Sequence, residues 1–188
     1  MLVVGLGNPG AEYAHTRHNA GADAAVVLAA RHGLQLRPER RTSAVAGEVL
    51  TGDRRLAIGV PTTYMNESGV AASALARRFS VEDPAKIVIL HDELDLPVGA
   101  VKVKRGGGIA GHNGLRSVQA HLHSLDFLRV RIGIGRPPGR MPGADYVLRR
   151  PSRADAEAIA HACELAADAV ELLLGEGPDA AMNAVNGR

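Results

Sequence analysis

Leu2, Val3 and Val4 form a short apolar run that breaks at once into Gly5-Leu-Gly-Asn-Pro-Gly10, and the chain resumes at His18-Asn19 as an alanine-rich stretch stopped by Gly33. A strand that gives way to an irregular loop and then to a helix commits the chain to an α/β arrangement, with the helix mouth at the end of a sheet. His18 stands at that mouth. The same alternation recurs downstream. Residues 86–90 are a nearly continuous apolar run ending in His91-Asp92, the pattern of a strand covered on both faces. Residues 34–36, 44–50, 54–60, 101–103 and 128–134 read as further strands, with Thr51-Gly-Asp53 as a hairpin turn. Helices are expected over 20–32, from Asn66 as cap to about Phe79, from Asn113 to about His123, from beyond Pro151 to Leu174, and over 179–185. With no repeat and no linker, residues 1–188 are expected to form one α/β domain, a mixed central sheet flanked by helices on its faces.

The glycines of the first loop match G-x-G-x-x-G, the dinucleotide-binding fingerprint. In that motif the helix opens within the glycines, so that its N-terminus faces a pyrophosphate. Here Pro9 interrupts the motif, the helix cannot open before about Thr16, and the acid expected some twenty residues on falls at the basic Arg31. The glycines therefore read as a tight turn, and no cofactor is expected.

Neither an export leader nor an apolar run of membrane-spanning length is evident, and the lone Cys163 fits a reducing compartment, so a cytoplasmic protein without membrane attachment is expected. Cys163 shares a helical stripe with Ile159, Ala166 and Val170, which makes it a small core residue and not a nucleophile. The net charge of +2 permits an anionic partner without demanding one. Two Phe, three Tyr and no Trp exclude a reader of many stacked bases, so a nucleic-acid partner would be held mainly through backbone charge and shape.

Polar residues gather just beyond strand ends: Asn8 with His18, Tyr64 with Asn66, His91 with Asp92, and His112 with Asn113. Such loops converge on one rim of an α/β sheet. Each has a plain structural explanation, Asn66 and Asn113 as helix caps above all. Together they offer an imidazole, a carboxylate and several carboxamides, with no G-x-S-x-G elbow. That set favours water activated by a histidine over a covalent intermediate. A divalent metal held by His91, His112, His121 and His123 with Asp92 and Asp95 is the competing chemistry. The ligand spacings that mark metal sites are missing, and no metal is expected.

Val4-Gly-Leu-Gly-Asn-Pro-Gly10, Thr16-Arg-His-Asn-Ala-Gly21, Pro61-Thr-Thr-Tyr-Met-Asn66, His91-Asp-Glu-Leu-Asp-Leu-Pro97, Gly111-His-Asn-Gly-Leu115 and Arg129-Val-Arg-Ile-Gly-Ile-Gly135 together resemble the bacterial-type peptidyl-tRNA hydrolases across nearly the whole chain. The resemblance implies metal-independent cleavage of the ester that joins a peptide to the 3′-terminal ribose of tRNA, by a monomer. By the same resemblance His18 is the general base, Asp92 the carboxylate that orients it, and Asn8 the residue that separates N-blocked from free aminoacyl esters. Tyr13, Tyr64, Asn66 and Asn113 match substrate-contacting positions, and Lys104 and Arg131 match residues that meet tRNA phosphate. Asn66 or Asn113 could supply the NH2 group that steadies the oxyanion. Lys102 and Arg129 read as solvated strand-edge charges, and residues 135–143 as a Pro/Gly flap beside the site. The alternative is an RNA-binding homologue of the same fold that has lost hydrolysis.

Overall fold

All but one of the short apolar runs become strands of one seven-stranded sheet in the computed structural model, which describes residues 1–187. In chain order the elements are β1 (Leu2–Gly5), α1 (Ala20–Arg31), β2 (Arg37–Glu39), β3 (Ala44–Thr51), β4 (Arg54–Pro61), α2 (Ser68–Arg78), β5 (Ile87–Glu93), β6 (Val101–Arg105), α3 (Asn113–Leu122), β7 (Leu128–Gly133), α4 (Gly143–Val147), α5 (Arg153–Gly175) and α6 (Pro178–Asn186). The strand order is β2-β3-β4-β1-β5-β7-β6. β4, β1, β5 and β7 run parallel, while β2, β3 and β6 pair antiparallel with their neighbours towards the edges.

The two-residue period of the strands sorts their side chains into two cores. Val3, Val88 and Leu90 face α1 and α5, where Ala24, Leu28, Ala166 and Val170 meet them. Leu2, Val4, Ile87 and Ile89 face the other way, onto Ala72 and Leu75 of α2 and Leu115 and Val118 of α3. Strands β1 and β5 are apolar at successive positions because both faces are covered. Cys163 is buried in the first core, and burial raises its thiol to about 12, as expected of a packing residue.

After β1 the chain crosses to β4 on one side, and β5 lies on the other. The carboxyl ends of β1 and β5 therefore flank a topological switch point, where α/β sheets open a crevice. α1 lies unusually close to that crevice. A Cβ on Gly21 would sit 2.2 Å from the Leu90 carbonyl oxygen, and one on Gly5 would sit 2.4 Å from that of Gly21. Hydrogen in place of a side chain at both positions lets the start of α1 rest directly on the strand ends.

The structure departs from the sequence reading at four places. Residues 34–36 are not a strand; Leu34 and Leu36 pack from a loop against the first core, and the ladder to β3 begins only at Arg37. Asn66 does not cap α2, which opens at Ser68 after a 3-10 turn over Met65–Glu67. Asn113 is not a cap either, because His112 takes that role for α3. The proline and glycine segment ends in the short helix α4, which no hydrophobic period announces.

Candidate active site

The carboxyl end of β5 and the entry to α1 bring Asp92 and His18 together. His18 is the middle residue of a 3-10 turn over Arg17–Asn19 that leads into α1. Its Nδ1 lies 2.9 and 3.0 Å from the two Asp92 carboxylate oxygens. With Nδ1–H donated to Asp92, Nε2 is left as the nitrogen with a free lone pair. Both residues are buried and line a cleft of about 300 Å³ with Leu94, Ile109, His112, Asn113 and Val147.

A second imidazole shares the carboxylate. His112 Nε2 lies 2.9 Å from Asp92 Oδ1. The other nitrogen of that ring accepts from the main-chain N–H groups of Gly114 and Leu115, at 3.1 and 3.3 Å. Two incoming donors leave no room for a proton on Nδ1, so the α3 cap fixes His112 as the Nε2–H tautomer and aims that hydrogen at Asp92. Burial pushes the Asp92 carboxyl up, yet His112 and His18 together outweigh burial and hold it well below the ordinary carboxylate range. His91, on the opposite face of β5, donates from Nδ1 to the Asp92 main-chain oxygen at 2.7 Å. Burial, aided by His112, lowers His91 to about 3, so it is neutral at any working pH.

The site is closed into a ring by main-chain contacts. Asn8 N–H donates to Asn19 Oδ1 and Asn19 Nδ2 to the Asn8 carbonyl, both at 2.9 Å. Asn8 Oδ1 accepts from the Met65 N–H at 2.8 Å, which turns its NH2 group away from Met65. A Cβ on Gly114 would meet the Met65 sulfur at 2.5 Å, so the loop before α2 rests on the start of α3 beside His112. Asn8 is thus held between His18's neighbour and the loop that carries Tyr64 and Asn66. The freed carboxamides of Asn66 and Asn113 are exposed; Asn113 Oδ1 accepts from Arg116 at 3.1 Å. Tyr13 and Tyr64 meet edge to face with ring centres 6.3 Å apart on the rim.

Among the described residues, one group has metal-ligand geometry, His18, Asp92 and His112. It is not the set weighed from the sequence, since His121 and His123 lie in a separate groove on α3. A metal taking Nε2 of His112 would force that ring's proton onto Nδ1, against two N–H donors. The donor set fits a hydrogen-bonded carboxylate better than an ion.

A family model described as peptidyl-tRNA hydrolase matches residues 2–188. The chain belongs to the peptidyl-tRNA hydrolase family. A peptidyl-tRNA hydrolase of Rhodococcus erythropolis is 51% identical over 182 residues, covering 97% of this chain and 95% of that one. One of Mycobacteroides abscessus is 48% identical over 186 residues, covering 99% and 94%. A crystal structure of peptidyl-tRNA hydrolase from Acinetobacter baumannii superposes with a TM-score of 0.92 at 37% identity, over 98% of this chain and 93% of that one.

Within this peptidyl-tRNA hydrolase fold the two basic residues singled out from the sequence do not themselves line the cleft. Lys102 pairs with Arg131 and Lys104 with Arg129 across the β6–β7 ladder, so the two basic rows are neighbours on one face and do not flank a groove from opposite sides. Arg129 is not a solvated edge charge. It is buried, and its guanidinium donates to the carbonyl oxygens of Gly106 and Gly108, holding the glycine loop that leads to His112. Lys102 likewise is engaged, donating to the Asn186 carbonyl at 2.8 Å. Lys104 is exposed, whereas Arg131 Nε donates to the buried Glu93 at 3.0 Å. Glu93 also lines the cleft, so the basic face and the His18 site meet at that residue. Sequence reading missed Asn19, His112 as a partner of Asp92, and Glu93. Their signal was local: each adjoins a residue that was chosen.

Proposed function

We propose that this chain hydrolyses the ester between a peptide, or an N-blocked amino acid, and the 3′-terminal ribose of tRNA, with water activated by His18. The observation that carries the reading is the His18–Asp92 contact, which commits one ring nitrogen to the carboxylate and leaves Nε2 as the base. Nε2 takes a proton from water as the oxygen attacks the ester carbonyl. Asp92 keeps the tautomer and stabilises the imidazolium that forms, as an aspartate does beside a histidine in serine proteases. The tetrahedral oxyanion receives N–H donation from Asn113 or Asn66. Collapse breaks the bond to the ribose oxygen, which takes the proton back from His18 and leaves as a hydroxyl; the peptide leaves as a carboxylic acid and then ionises.

The NH2 group of Asn8 is suited to meet the carbonyl of an N-acyl group, and Tyr13 and Tyr64 offer ring faces and edges to the terminal nucleotide or acyl chain. Lys104 and Arg131 are proposed to meet tRNA phosphate. Residues 1–188 act as one unit and as a monomer in the cytoplasm, where peptidyl-tRNA arises, since every group invoked belongs to one chain. No metal takes part.

Purified protein, assayed with EDTA present, is expected to release N-acetylamino acid from N-acetylaminoacyl-tRNA and to leave the unblocked ester intact. Tight tRNA binding without release would contradict the reading and favour the RNA-binding homologue.

A further inference from the structure

Arg17, one residue before His18, is 7% exposed, and its charge is spent on a distant part of the chain. Nη1 donates to the main-chain oxygens of Arg149 and Arg150, each at 3.2 Å. Nη2 donates to Asp155 at the start of α5, also at 3.2 Å. The guanidinium lies over the Tyr146 ring, 4.2 Å from its centre. The Tyr146 hydroxyl in turn donates to the Ile134 carbonyl at 2.9 Å, at the end of β7. The main-chain N–H of Arg17 reaches the same Arg149 oxygen at 3.3 Å.

All of these contacts grip α4 and its flanks, and none touches Asp92. α4 is a single short helix with no capping side chain, and it supplies Gly143, Ala144 and Val147 as one wall of the cleft that holds His18. Leu94 and Ile109 line the same cleft. A buried cation is tolerated only where several acceptors and a π-face replace its water, and the planar arginine fork alone can serve two carbonyls, a carboxylate and a ring together. Its Nε has no hydrogen-bond partner among the described residues.

We propose that Arg17 is a positioning residue that fixes the spacing between the α4 wall and His18, and thereby sets how the acyl chain of the substrate seats against the base. This rests on the His18 cleft being the hydrolytic site.

Arg17→Lys keeps the charge and loses the fork. Tyr146→Leu removes the π-face under Arg17 and the bond to Ile134 while leaving Arg17 itself unsubstituted, so one variant remains decisive if the other does not fold. The measurement is KM and kcat for N-acetylaminoacyl-tRNA and for a tetrapeptidyl ester of the same tRNA; KM does not depend on the folded fraction. In both variants KM for the tetrapeptidyl ester should rise about tenfold, or roughly 1.4 kcal/mol of binding. KM for the acetyl ester should rise less, and amide exchange should quicken over 143–150 but not in α2. Unchanged KM for both substrates, with losses confined to the amount of folded protein, would reduce Arg17 to a fold-holding residue. An equal rise for both substrates would place the effect at His18 and not at the wall. Either result overturns the proposal. A wild-type protein without hydrolysis would count against the function itself.

Discussion

Asp92 is ionised in a pocket whose burial opposes ionisation, and two imidazole N–H groups are the reason. The second donor, His112, is fixed by its other duty as the α3 cap, so a helix start is part of the electrostatics of the His18–Asp92 pair. The two duties can be separated. His112→Asn retains a capping side chain but is too short to donate to Asp92, so kcat should fall about tenfold, the scale of one hydrogen bond to a charged group, while the melting temperature barely moves. Asp92→Asn should cost more, because a carboxamide cannot accept from both rings as a carboxylate does; its rate should lie between those of His112→Asn and His18→Ala. A His112→Asn enzyme with wild-type kcat would show that His18 alone suffices to hold Asp92. At this scale the sequence was legible where two motifs meet through their own side chains, as in the pairing of His18 with Asp92. It was not legible where the role depends on a partner far along the chain. Arg129 looked like an edge charge because nothing near it in sequence reveals the Gly106 and Gly108 carbonyls it caps.

Strand β5 directs three successive side chains to three tasks by simple alternation. His91 turns to one face and props the Asp92 main chain, Asp92 turns to the other and holds His18, and Glu93 turns back to engage Arg131. His91 gives the strand a pH signature. Its folded value, lowered to about 3, lies below the ordinary one near 6.5, so the unfolded chain binds one more proton between those limits. The stability it contributes is fully present above about pH 6.5 and is lost as pH falls towards about 3, at up to roughly 1.4 kcal/mol per unit. Asp92 works in a lower window: its lowered carboxyl adds stability above about pH 4 that is lost only as pH falls further. Urea midpoints of His91→Asn, which keeps a donor for the Asp92 oxygen, should therefore fall less steeply from pH 6.5 to 4.5 than those of the parent. Parallel curves would mean that His91 is not buried neutral. The central strands were readable because both faces of β1 and β5 are apolar. β2 and α4 were not, since Arg37-Pro-Glu39 and Gly143-Ala-Asp-Tyr-Val147 carry neither period and are placed by pairing to β3 and by Arg17.

The molecule as a whole must hold a large polyanion with a net charge of only +2, so the placement of its cations matters more than their number. Lys104 is the exposed member of the β6–β7 face, while Arg131 already faces Glu93. The two should therefore differ in salt dependence. Lys104→Ala should flatten the slope of log K against log salt by roughly 0.7 to 0.9, the value of one lost phosphate contact. Arg131→Ala should flatten it by less, because Glu93 neutralises part of the charge a phosphate would meet. Neither should alter hydrolysis of a minimal acyl-adenosine ester, and equal loss on that substrate would move both residues into the chemistry or the fold. The α/β architecture could be read from the sequence because strand and helix periods alternate, but the meeting of the basic face with the cleft at Glu93 is a product of strand order. All of this presumes that His18 is the base. The most direct measurement is the single-turnover hydrolysis rate of N-acetylaminoacyl-tRNA by His18→Ala beside the parent, in EDTA, with tRNA affinity measured on the same samples. The arrangement around Asp92 predicts a rate at least about a hundredfold lower with affinity unchanged; a rate close to that of the parent would contradict it.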